Sequence, residues 1–209
     1  MTLKKRYIAI IIISALLIAT AIITPFVARN YIRGNCVTEI TDEELNLRMA
    51  YVEEAEKWLG VNSSDGSHIP ILTIYNNHEP LAQNYVVKET DMWCATFVSA
   101  MAISMDLTDI IPTECGCQRQ IELFDNLGCW QEQDDYKPLP GDIIFYCTDN
   151  KDSGDCVGWS NHVGIVVGTR FGWIQVIEGN SNGRVQYRYI KVNDSSIRGF
   201  GLPNFASKS

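Results

Sequence analysis

The stretch TDMWCATFVSAM, residues 90 to 101, places a cysteine where a short polar run gives way to an apolar helical pattern. Cys94 falls in the first turn of that expected helix, with Thr90 or Asp91 as its cap. Unpaired backbone N–H groups and the positive end of the helix dipole stabilise a thiolate at such a position. A nucleophilic thiolate works with a base, and the base with a group that orients it. The chain holds three histidines. His68 and His78 fall in polar loops and read as solvated residues. His162 instead opens the strand HVGIVVG, which the five residues GTRFG join to the strand WIQVIEG. A hairpin closing symmetrically about Arg170 sets Val167 against Trp173 and His162 directly opposite Glu178. Directly opposed residues have Cβ atoms about 4.5–5.5 Å apart, close enough for a carboxylate to hold an imidazole. Asn180 follows on the same face by the strand period, and a slip of one residue would break the set. Cys94, His162, Glu178 and Asn180 are therefore the candidate catalytic residues, and their chemistry is nucleophilic attack on a carbonyl.

Two kinds of element must position them. TDEELNLRMAYVEEAEKWLGV predicts a helix from Thr41, with Thr41 and Glu44 as a capping box and Gly60 as the stop. Its expected apolar face is Leu45, Met49, Val52 and Leu59. VNSSDGSHIP reads as a loop and ILTIYNN as a short extended segment. A second helix follows from the Thr90 or Asp91 cap, with Cys94, Phe97, Val98, Met101 and Met105 on its core stripe. Residues 106 to 141 read as irregular, apart from a short helix around RQIELFDNL. The period then changes to extended. GDIIFYC, HVGIVVG, WIQVIEG and RVQYRYIKV predict four strands separated by Gly, Asn and Asp turns. Helices first and antiparallel strands later give an α+β domain with the helices packed on the sheet.

The motifs DMWCATFVSAM, PGDIIFY, SNHVGIVVG and IEGNSNGRV, in that order, resemble the CHAP family of cysteine- and histidine-dependent amidohydrolases and peptidases. The resemblance spans roughly residues 41 to 203. It implies a papain-like fold and cleavage of peptidoglycan. It also implies Cys94 as nucleophile, His162 as general base, Glu178 orienting the imidazole and Asn180 supporting it. The backbone N–H of Cys94 would face the oxyanion. Tyr85 is a candidate side-chain donor, and Trp93 reads either as cleft lining or as core. Many lytic members carry wall-binding modules of SH3-like or LysM type, and no such stretch is found here.

Six further cysteines, Cys36, Cys115, Cys117, Cys129, Cys147 and Cys156, allow 15 pairings. Cys147 with Cys156, bracketing one loop, is expected first, and Cys115 or Cys117 with Cys129 next. With six partners for one another, a disulfide to Cys94 is not expected. CGC at 115 to 117 lacks a second spaced pair for zinc. DNKDSGD at 149 to 155 does not fit an EF-hand and reads as a solvated acidic turn. No metal and no cofactor are expected.

Lys4, Lys5 and Arg6 precede the uncharged run YIAIIIISALLIATAIITPFVA, residues 7 to 28. About 20 apolar residues suit a membrane-spanning helix, and the basic cluster keeps the N-terminus cytoplasmic. Phe26 spoils the small-x-small pattern of a cleavage site, which favours an uncleaved anchor over a signal peptide. The expected order is a cytoplasmic N-terminus (1–6), signal-anchor (7–28), linker (29–40), catalytic domain (41–203) and tail (204–209). Either reading of the apolar run places the domain outside the cell membrane, where disulfides form. Residues 30 to 209 hold 13 basic against 25 acidic residues, a net −12, which excludes a nucleic-acid partner. The sequence thus points to a membrane-anchored peptidoglycan hydrolase, either an endopeptidase on stem or cross-bridge peptides or an N-acetylmuramoyl-L-alanine amidase. A place beside an envelope-spanning secretion or conjugation apparatus would suit it. The alternatives are a catalytically silent domain that binds wall peptides or a partner, and a thiol peptidase acting on proteins.

Overall fold

The computed structural model describes residues 40–148 and 155–209. The apolar run at 7–28 and Cys36 lie outside the described residues, as does all of the acidic loop except Asp155. Among the described residues no helix is long and apolar enough to cross a membrane.

Helix α1 (Asp42–Glu56) starts as expected, with Thr41 Oγ1 accepting from the Glu44 N–H at 3.1 Å. The rest of the capping box does not form, because the Glu44 carboxylate turns along the helix to Arg48 Nε at 2.8 Å. Arg48 Nη1 in turn donates to Asp142 Oδ1 at 2.9 Å and to the Pro140 carbonyl at 3.1 Å. The buried face is therefore Glu44, Leu45, Arg48, Tyr51, Val52 and Ala55. Met49 is half-buried and Leu59 is exposed. A guanidinium held by two carboxylates and a carbonyl takes the place of an apolar residue there, and the pairing offsets its desolvation.

Residues expected to be extended form helix α2 (Ile69–Asn76). Pro70 at the first turn has its ring where no N–H is needed. Ile71, Leu72 and Tyr75 are buried at helical spacing, so period outweighed the β-branched composition. Helix α3 (Cys94–Ser104) is buried over its first nine residues, and α4 (Cys117–Asn126) begins two residues before the predicted segment.

Six antiparallel strands follow instead of four: β1 (Trp130–Gln131), β2 (Ile143–Tyr146), β3 (His162–Arg170), β4 (Trp173–Ser181), β5 (Arg184–Lys191) and β6 (Ile197–Gly201). Their order in the sheet is β1-β6-β2-β3-β4-β5. The two strands not foreseen are short, and β6 carries two glycines. β6 nevertheless lies inside the sheet, and β1 pairs only with it. Alternation along the strands divides the apolar residues between two faces. Ile143, Phe145, Val163, Ile165 and Ile177 pack with the helices. Ile144, Tyr146, Val166, Ile174 and Val176 form a second cluster with Phe200. The fold is α+β.

The register of β3 and β4 decides the site. Arg170 pairs with Trp173 across Phe171 and Gly172, whose φ values of 52° and 77° make a two-residue turn. Both central φ values are positive, as in the type I′ turn that matches strand twist. The symmetric five-residue loop is thus corrected to a tight turn. That turn alone would send His162 and Glu178 to opposite faces. A bulge between Val166 and Gly168 takes up one extra residue, so that Ile165 pairs with Ile177. Continuing that register sets Gly164, not His162, against Glu178. The net shift from the expected register is two residues, and an even shift preserves the face.

Candidate active site

Cys94 is the first residue of α3, and Trp93 before it offers no side-chain cap. Neither expected cap forms: Asp91 Oδ2 accepts from the Lys88 N–H at 2.8 Å and from the Tyr85 hydroxyl at 2.7 Å, closing the preceding turn. The first-turn amides of α3 remain for the sulfur, and the Ala95 N–H donates to it. The helix is set against the sheet at Gly179. A Cβ on that residue would run into the Phe97 side chain, lying 2.6 Å from its Cγ. Phe97 is one turn beyond Cys94, so this close approach fixes where the nucleophile sits.

His162 begins β3 and lies directly across from Tyr146 of β2. Their rings stack, with centroids 5.9 Å apart and planes 24° apart. Glu178 reaches His162 diagonally: Nε2 and Oε2 are 3.1 Å apart. The angle is too poor for a well-directed hydrogen bond, so the contact is an ion pair by distance. Gly164 makes the diagonal possible, since a Cβ there would lie 2.9 Å from Glu178 Cγ. The other carboxylate oxygen accepts from Arg188 Nε of β5 at 2.5 Å. The Arg188 guanidinium also lies over the Tyr146 ring, 5.3 Å from its centroid. Glu178 is fully buried, with a cation on each oxygen.

The charges follow from this geometry. Burial alone would lower the His162 pKa, but the hydrogen bond to Cys94 and the charges of Glu178 and Cys94 override it and raise it to about 9. A hydrogen bond from Cys117 and the bond and charge of His162 outweigh burial at Cys94 and bring its thiol well below the usual range. Burial would raise the Glu178 carboxyl, yet His162 and Arg188 together lower it. The resting site therefore holds a thiolate, an imidazolium and a carboxylate. With Nε2 turned to Glu178, Nδ1 is the imidazole nitrogen left for Cys94.

Three of the four residues singled out in the sequence thus converge, and Asn180 does not. A second bulge, between Glu178 and Ser181 on the β5 side, breaks the strand period there, and Asn180 has φ 55°. Its amide donates to Met92 Sδ at 3.4 Å, so it ties β4 to the loop before Cys94 and leaves the imidazole to Glu178. Tyr85 has its hydroxyl committed to Asp91. Trp93 is core, 1% exposed. His68 is a correction: it is buried, its ring lies tilted against Trp93 with centroids 5.5 Å apart, and Nε2 is 3.1 Å from the Glu89 carbonyl. His78 is half-buried after α2. Tyr146, Arg188 and Cys117 were missed. The Asn182-Gly183 turn, which pairs Ser181 with Arg184, was the legible signal for Arg188, because it sets that residue within two of Glu178's partner Gln186.

Cys147 and Cys156 form the expected disulfide. Cys115, Cys117 and Cys129 are free thiols, so the second expected pairing does not form. Cys117 lies instead at the nucleophile, its sulfur 3.5 Å from that of Cys94. Among the described residues no group of three or more His, Cys, Asp or Glu could hold a metal ion.

The model of the CHAP domain family matches residues 85–180. No curated protein matches the sequence. Among solved structures, an NlpC/P60 family protein from Bacillus cereus ATCC 10987 aligns with a TM-score of 0.42 at 16% identity, over 75% of this chain and 40% of that one. This chain thus aligns with less than half of that protein, and a likeness of that degree carries no argument. The family match runs from Tyr85 through the nucleophile helix, the histidine strand and the glutamate strand to Asn180, and over these residues the chain is similar to a CHAP domain.

Proposed function

We propose that the chain is a peptidoglycan hydrolase that cleaves amide bonds of cell-wall peptides through a Cys94 thioester. The observation that carries this reading is the thiolate–imidazolium pair of Cys94 and His162, backed by Glu178 and built from three separate elements. A domain that only binds wall peptides has no use for a depressed thiol beside a raised imidazole. Cys94 attacks the amide carbonyl, and the Cys94 N–H at the helix start faces the oxyanion. His162 gives its proton to the departing amine, then takes one from the water that releases the acyl group. Glu178 keeps the imidazole oriented throughout and stabilises its charged form.

The substrate is a stem or cross-bridge peptide, or the bond between N-acetylmuramic acid and L-alanine. The apolar run at 7–28 supports a single-pass anchor that holds the domain outside the cell membrane. An acidic domain would be repelled by an anionic wall, so an anchor supplies the localisation that charge does not. Work beside an envelope-spanning secretion or conjugation apparatus is compatible with that placement.

The test is to incubate the full-length protein, and Cys94→Ala, with peptidoglycan and analyse the products by mass spectrometry. New amino groups that depend on Cys94 are expected, and their position identifies the bond. Release that persists in Cys94→Ala, or no release from any wall type, sinks the reading. Cys94-dependent cleavage of a protein substrate alone would establish the thiol peptidase instead.

A further inference from the structure

Helices α3 and α4 begin at the same place. Cys94 is the first residue of one and Cys117 the first of the other, and their sulfurs are 3.5 Å apart. Both side chains are buried. The other free thiols are engaged elsewhere: Cys115 Sγ contacts Glu114 Oε1 and Cys129 Sγ contacts the Leu127 carbonyl, each at 3.5 Å. Hydrolysis as described above has no step for Cys117. A second thiol set against a nucleophilic thiolate has a chemistry of its own.

We propose that Cys94 and Cys117 form a site of reversible oxidative modification, at which a low-molecular-weight hydroperoxide converts the two thiols to a disulfide and removes the nucleophile. The loss of activity rests on the functional reading above, whereas the bond itself does not. In the first step the Cys94 thiolate attacks the O–O bond of the peroxide. One oxygen joins the sulfur as sulfenic acid, and the other leaves as hydroxide and takes up a proton as water. In the second step the Cys117 sulfur attacks the Cys94 sulfur. The S–S bond forms, the S–O bond breaks, and the hydroxyl leaves with the Cys117 proton as a second water. Two thiols are oxidised and one hydrogen peroxide is reduced. A dithiol reverses the reaction by exchange.

The geometry suits each step. The sulfurs must close from 3.5 Å to a bond of about 2.05 Å, a movement of about 1.5 Å. Cys117 holds its proton in the resting site chiefly because it bonds to the Cys94 thiolate. Oxidation of Cys94 removes that charge and frees Cys117 to attack. The same contact that activates the nucleophile thus supplies the group that captures it once oxidised.

The experiment treats reduced full-length protein with hydrogen peroxide and digests it without a reductant. The expected product is a peptide pair linked from Cys94 to Cys117 and lighter by two hydrogens. Hydrolysis falls to the level of Cys94→Ala and returns with dithiothreitol. In Cys117→Ser, measured against its own untreated rate, excess peroxide drives Cys94 to sulfinic acid and dithiothreitol does not restore the rate. Sulfinic acid at Cys94 with Cys117 still free in the parent protein overturns the proposal, as does a link from Cys94 to Cys36, Cys115 or Cys129. Should Cys117→Ser fail to fold, the parent digest decides. A Cys94–Cys117 link in a protein inactive on every wall type would keep the site and remove the hydrolase reading.

Discussion

His162 holds its proton up to about pH 9 while Cys94 has already lost its own, so the ion pair exists over the span between the two. Activity on an amide requires both charges. The kcat/KM profile is expected to rise as the thiolate forms and to fall as the imidazolium is lost near pH 9. The two groups interact, so both limbs belong to the pair. Glu178→Gln removes a charge that raises His162, and the sign is clear: the alkaline limb moves to lower pH. The imidazole also loses its orientation, and kcat/KM drops on the order of 10²-fold or more. An alkaline limb unmoved in Glu178→Gln would mean that Glu178 does not act on His162. At this scale Cys94, His162 and Glu178 were legible because three histidines make the base a short search and a hairpin and a helix start point from it to a carboxylate and a cysteine. Asn180 was misread and Cys117 overlooked for one reason. Both depend on local backbone, a bulge in one case and a helix start in the other, that residue type does not disclose.

Among the elements, glycines at the contacts of α3, β3 and β4 do what side chains cannot. Gly179 admits Phe97, and Gly164 leaves the diagonal open for Glu178. Gly179→Ala would force α3 away from β4, because a packed ring and a strand backbone cannot both yield. It is expected to cost about 1–3 kcal/mol and to lower kcat by shifting Cys94 from His162. Gly168→Ala on β3 meets nothing within 4 Å and should stay within about 0.5 kcal/mol of the parent. Urea denaturation and kcat, measured together, check both. Equal stability in the two variants would remove the close-contact argument. The register shows why such contacts escape a reading of pattern. Alternation correctly placed four strands, but the Phe171-Gly172 turn and the Val167 bulge each moved the pairing, and their effects combined to an even shift. His162 and Glu178 ended on one face through two local features rather than through the symmetric loop.

For the whole molecule, Thr41 to Ser209 forms one compact unit. Every group at the site lies inside it. So does the buried Arg48 link, which fastens α1 to the start of β2 through Asp142 Oδ1 at 2.9 Å. Charge and composition had already set the domain apart from the apolar run, since all the acidic residues lie beyond position 29. Unlike the register, that division is read from composition alone, because hydropathy over many residues does not depend on turns. It carries a prediction about autonomy. A protein starting at Thr41 keeps the cap of α1, whose side chain accepts from the Glu44 N–H. It also keeps both apolar clusters of the sheet and, among the described residues, those that touch Cys94. It is expected to unfold cooperatively, with a Tm within about 2 °C of the same unit in the longer chain. On soluble muropeptides its kcat/KM should equal that of the full-length protein, since Cys94, His162 and Glu178 all lie beyond Thr41. On intact sacculi attached to membranes it should fall behind, because tethering raises the local concentration of enzyme at its substrate. Calorimetry and paired assays on the two substrates separate the parts of this argument. A truncated protein that folds but fails on soluble muropeptides would place residues 1 to 40 in the site, and equal rates on membrane-bound sacculi would remove the anchor from the mechanism.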